Sequence, residues 1–105
     1  MVKNNIVETY EGNTSVTRTI QIYWHTQEGI FRYYPTDSEV VNLRLFDKRG
    51  KTIFEDAALI EGDDIIVTFP DNMLPGDYDY EVTITLENKD KPITVLSSKY
   101  HVERR

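Results

Sequence analysis

The chain has 105 residues, with 12 basic against 18 acidic side chains, a formal charge of −6, 39% hydrophobic and 11% aromatic residues, and no cysteine. This length fits a single domain over residues 1–105 with one modest core, and seven Tyr, four Phe and one Trp set it apart from a disordered chain. The missing cysteines exclude disulfides, thiolate metal sites and a cysteine nucleophile, and no apolar run reaches signal-peptide or membrane-spanning length, so a soluble chain without a classical export signal or a membrane partner is expected.

Taken in order, the polar start 1–5 is followed by a short strand candidate from Ile6 to Tyr10. Val16, Ile20, Ile22 and Trp24 then alternate with Thr17, Thr19, Gln21 and Tyr23, which predicts one long β-branched strand in which Arg18 alone breaks the inward set. Ile30 to Tyr34 is a further short candidate. Val41, Leu43 and Leu45 alternate with Asn42 and Arg44, Thr52 to Ala57 is again strand-like, and Asp56 to Ile60 is the one stretch with a helical turn's pattern. Ile65, Val67 and Phe69 alternate with Ile66 and Thr68. From Tyr78 to Leu86 every even position is large and apolar or aromatic and every odd one is acidic or Thr, the signature of a half-buried strand. Pro92 to Val102 switches parity between Val95 and Leu96, which predicts a bulge. The end, 103–105, is polar.

Punctuation agrees with this division. Asp47-Lys48-Arg49-Gly50 suits a type I turn closed by a glycine at positive φ, Glu61-Gly62-Asp63 a tight reversal, and Pro75-Gly76 a type II turn. Asn88-Lys89-Asp90-Lys91 reads as the tip of the last hairpin. Seven to eight short strands with turns between them predict an all-β, antiparallel two-sheet sandwich. Its expected core comprises Ile20, Ile22, Trp24, Leu43, Leu45, Val67, Phe69, Tyr78, Tyr80, Val82, Ile84 and Leu86.

The stretch Leu74-Pro75-Gly76-Asp77-Tyr78-Asp79-Tyr80-Glu81-Val82 resembles the E to F corner of immunoglobulin-like and fibronectin-type domains, where a tyrosine hydrogen-bonds back to the chain. Tyr78 stands two residues after Gly76 and Tyr80 four, so either is a candidate for that bond. More widely, Glu28-Gly29-Ile30 through Tyr34-Pro35-Thr36-Asp37, the Val40 to Phe46 strand, Asp47-Lys48-Arg49-Gly50-Lys51 and the Leu74 to Tyr78 corner follow one another in an order similar to that of immunoglobulin-like modules of tailed-phage virions. Those modules include the N-terminal domain of baseplate upper proteins and small head-decoration proteins. The resemblance implies an immunoglobulin-like sandwich and a non-enzymatic structural or decorating virion component, assembled in the host cytoplasm, whose partners are other virion proteins. Docking would use a sheet face, an edge or a terminus, and both head and tail or baseplate positions remain open, as does the oligomeric state.

The residues themselves point away from chemistry. Two His lie 76 positions apart, both in β contexts, without a phosphate loop, nucleophile elbow or His/Glu metal pair, so no catalytic residue and no cofactor is expected. Glu61, Asp63, Asp64, Asp77 and Asp79 fit no calcium-loop spacing and read as turn and outward-facing carboxylates, so no metal is expected either. A charge of −6 disfavours nucleic acid. The segment Tyr23 to Tyr34 holds five of the twelve aromatic residues, and Tyr23, Phe31, Arg32, Tyr33 and Tyr34 are the expected partner contacts, because Tyr, Trp and Arg dominate interface hot spots. The alternative is a carbohydrate-binding module in which these rings line a groove for a glycan, including one on a host surface. A second basic cluster, Lys99, His101, Arg104 and Arg105, is expected to be solvated or, through Arg104 and Arg105, to meet an acidic neighbour.

Overall fold

The computed structural model describes residues 6–12, 16–34, 39–86 and 91–104; the side chain of Trp24, the segments 1–5, 13–15, 35–38 and 87–90, and Arg105 lie outside that description. Among the described residues there are ten strands and no helix: β1 (Val7–Tyr10), β2 (Val16–Ile20), β3 (Ile22–Thr26), β4 (Gly29–Tyr33), β5 (Val40–Phe46), β6 (Thr52–Ala57), β7 (Leu59–Glu61), β8 (Asp64–Phe69), β9 (Gly76–Thr85) and β10 (Ile93–Glu103). A five-stranded sheet runs in the order β1-β10-β9-β5-β6, a three-stranded sheet in the order β2-β8-β7, and β3 and β4 pair with each other alone. The all-β sandwich read from alternation is therefore present, with ten strands where seven to eight were expected, two more than the eight candidate segments of the sequence.

Both additions have a local cause. The expected long strand from Val16 to Trp24 is divided at Gln21: β2 pairs with β8, while β3 leaves that sheet to pair with β4. The expected helical turn at Asp56 to Ile60 is also overturned. Asp56 and Ala57 complete β6, Ala58 donates its N–H to the Val41 carbonyl at 2.7 Å, and Leu59–Glu61 forms β7 against β8. Five residues are too few to hold a helix in isolation, and here a ladder partner is at hand for the same backbone groups. One pairing departs from the antiparallel rule. β1 runs parallel to β10, Val7 opposite Tyr100 through Tyr10 opposite Glu103, and the Glu11 N–H extends the contact to the Glu103 carbonyl at 2.8 Å. Strands at opposite ends of the sequence need no tight turn between them, so the constraint that makes hairpins antiparallel does not apply.

The core lies between the two sheets. Leu43, Leu45, Val67, Phe69, Tyr80, Val82 and Ile84 are buried as their parity requires, joined by Ile22 at the base of β3; Ile20, Tyr78 and Leu86 are half-buried and pack on its margin. Val7, Val41, Ile65, Tyr100 and Val102 complete the core beyond the expected set. Phe69 of the smaller sheet meets Tyr80 edge-on at 5.0 Å between centroids and stacks on Tyr100 at 4.8 Å, both from the larger sheet. Such aromatic pairs contribute about 0.5–1.5 kcal/mol each beyond the area they bury.

The turns place these strands. Asp47 accepts from the Gly50 N–H through its carbonyl and from the Arg49 and Lys51 N–H groups through its carboxylate, and Gly50 takes φ 82° as expected. Gly62, at φ 62°, closes the β7–β8 reversal. At the corner before β9 the type II expectation fails. Gly76 already begins β9 at φ 146°, and Asn72 supplies the left-handed residue at φ 54°, a conformation its short polar side chain tolerates. The corner tyrosine is Tyr78, whose hydroxyl donates to the Leu74 carbonyl at 2.8 Å, while Tyr80 points into the core. The expected bulge in β10 is present: Thr94 pairs with Thr83 and Leu96 with Val82, leaving Val95 without a partner in the ladder.

Candidate functional site

The expected contact residues converge on the β3–β4 hairpin, but on two faces of it. Tyr23 lies opposite Arg32, and Trp24 opposite Phe31; because neighbours along a strand point to opposite faces, Tyr23 and Arg32 share one face with His25 and Ile30, while Phe31 and Tyr33 share the other with Ile22. The rings therefore do not line a single groove. At the base, Ile22 is buried and Tyr33 half-buried. Toward the tip the burial ends: Tyr23 is 46% exposed, Ile30 64% and Phe31 50%; at the other end, just after β4, Tyr34 is 51% exposed.

Arg32 has a different role from its neighbours. Its guanidinium donates to the Asp63 carbonyl at 3.0 Å, lies 3.5 Å from the Asp64 carboxylate and sits 5.0 Å from the centre of the Tyr34 ring. These contacts tie the hairpin near its base to the β7–β8 turn, so Arg32 anchors the hairpin instead of standing free beside its rings. Cation–π and exposed ion-pair contacts of this kind are worth up to about 1 kcal/mol each. At the tip, the Thr26 hydroxyl accepts from the Glu28 N–H and donates to the Gly29 carbonyl, both at 3.2 Å.

The C-terminal basic cluster is neutralised across the β9–β10 ladder. Register sets Lys99 opposite Asp79 and His101 opposite Asp77. The Lys99 ammonium donates to Asp79 at 2.6 Å, and the two ring nitrogens of His101 meet Asp77 and Glu103. The hydrogen bond to Asp77 first, then that to Glu103, holds the imidazole pKa above its ordinary 6.5, and His101 in turn holds the Asp77 carboxyl below 3.8. Arg104 is exposed beyond them, and Arg105 lies outside the described residues. The acidic residues considered as cation ligands are dispersed: Asp77 and Asp79 answer these bases, and Asp64 answers Arg32. Among the described residues no three His, Asp or Glu side chains gather as a metal-binding group. No helix among the described residues is long and apolar enough to cross a membrane.

Alternation along β3 and β4 was enough to find the aromatic tip, whereas the Arg32 clamp depends on a turn 31 residues away and had no local signal. No protein-family model matches the chain, and neither does any curated protein or any solved structure.

Proposed function

We propose that the chain is a non-enzymatic immunoglobulin-like module that serves as a structural or decorating component of a tailed-phage virion. The observation that carries this reading is the β3–β4 hairpin, which holds Tyr23, Ile30 and Phe31 about half or more exposed on a two-stranded sheet that no third strand joins among the described residues. A two-stranded ribbon is marginal by itself, and large apolar side chains displayed on one suit burial against another protein. The Tyr78 corner bond and the β1–β10 closure support the immunoglobulin-like part of the reading. The partners are other virion proteins, at a head or baseplate position, with assembly in the host cytoplasm. Many copies on one particle would make weak single contacts sufficient.

The experiment is copy number on purified particles. The chain is expected to co-purify with particles in high copy and to bind no free saccharide, and Phe31→Ser with Tyr23→Ser is expected to abolish incorporation while leaving the fold intact. Absence from particles, or ring fluorescence that shifts with a free sugar, would overturn the reading.

A further inference from the structure

The two layers are unequal, five strands against three, and the shortfall leaves an opening. A cleft of about 950 Å3 runs between them beside β2, with Val67, Phe69 and Tyr80 of the core as its floor and Ile20 and the bulged start of β10 at Leu96 on its walls. β2 is the last strand of its sheet, and among the described residues no strand lies beyond it. An open edge presents a row of main-chain donors and acceptors to any extended chain that reaches it. Five residues of β2 offer about 17 Å of such edge.

Charge narrows the occupant. Arg18 sits in β2 opposite Val67, at the inward parity of Val16 and Ile20, and its charge is felt at the Tyr80 and Tyr100 hydroxyls. Its guanidinium donates to the neighbouring Thr17 carbonyl at 2.9 Å and has no carboxylate partner among the described residues, whereas Arg32 and Arg44, the other described strand arginines, are ion-paired. Among the described residues the cleft lining contains Arg18 and His25 and no Asp or Glu, in a chain of net charge −6.

We propose that the cleft seats one extended acidic segment of another protein, which adds to the free edge of β2 as a strand, lays alternate apolar side chains against Ile20, Ile93 and Leu96 at the cleft mouth, and sets a carboxylate against Arg18. This mode takes its affinity from main-chain bonds and its specificity from alternate side chains. It rests on the β2 edge and Arg18 and does not depend on the virion reading, although β3 contributes Ile22, Tyr23 and His25 to the cleft lining.

The test is an NMR titration of the isotope-labelled full chain with a synthetic peptide of alternating Val and Thr bearing one central Asp, and with its Lys twin. The Asp peptide is expected to shift the β2 amides and to slow their hydrogen exchange about tenfold, with the Lys twin binding about tenfold more weakly. Arg18→Glu is expected to reverse that preference, and Arg18→Gln, a milder change that guards against misfolding, to erase it. Equal affinity for both peptides, unshifted β2 amides at millimolar peptide, shifts confined to β3–β4, or protection of β2 by self-association without peptide would each overturn the proposal.

Discussion

The sandwich body and the β3–β4 hairpin are written in the same alternating pattern, yet they bury it differently. In the body, Leu45, Val82 and Ile84 are 0% exposed, whereas Phe31, at an equivalent apolar position of the hairpin, is 50% exposed. Alternation specifies which side chains share a face, and burial follows only where a second layer covers that face. The body has that second layer in β2-β8-β7, while the hairpin has its own two strands and the Arg32 clamp. The body is thus held by two packed layers, and the hairpin by a few contacts at its base.

The largest expected effect comes from opening the inter-sheet core. Phe69→Ala removes a ring in contact with both Tyr80 and Tyr100 and is expected to destabilise the fold by about 3–5 kcal/mol in denaturant unfolding; a loss below about 1 kcal/mol would mean that the two layers are not packed through it. Tyr78→Phe keeps the packing and deletes the bond to Leu74, for an expected loss of about 0.5–1.5 kcal/mol. Arg32→Ala addresses the contrast directly. Global stability should change by about 1 kcal/mol or less, while amide exchange in β3 and β4 should accelerate relative to β9; uniform acceleration would show that hairpin and body open as one unit.

Smallest is the pH response of the outer face of the larger sheet. His101 binds its proton more tightly folded than unfolded, so its contribution is complete below 6.5 and drains away as pH rises through the higher folded value. Asp77 has the opposite sense, contributing above 3.8 and losing that contribution as pH falls through its lowered value. The pair is fully formed between those limits. Stability against pH should therefore decline on the alkaline side of 6.5 in the native chain and flatten there in His101→Gln, and the His101 ring titration followed by NMR should lie above 6.5.

Much of the body was legible because its information is local. Even positions in β9 and odd positions in β8 name their inward residues without reference to any partner, and the parity switch at Val95 and Leu96 announces the bulge. Three features could not be read in this way. The break at Gln21 leaves parity unchanged on either side, so nothing in the alternation marks where β2 and β3 part. The pairing of Lys99 and His101 with Asp79 and Asp77 depends on a register fixed by turn and bulge together. Arg18 was visible as an exception in an inward row, but its reason lies in a layer that stops at β2, which is a property of topology. The aromatic hairpin was found by composition and alternation, while joining Phe31 and Tyr33 to the face of Ile22, opposite that of Tyr23, needed the ladder.

Because β1 and β10 lie side by side and run the same way, with Val7 against Tyr100 and Tyr10 against Glu103, tension applied through Val7 and Glu103 would drag the two strands along each other in opposite directions. All rungs of that short ladder would then share the load and have to fail together, whereas a hairpin pulled at its open end unzips one rung at a time. The clasp that closes the fold is also oriented to resist being drawn out by its ends.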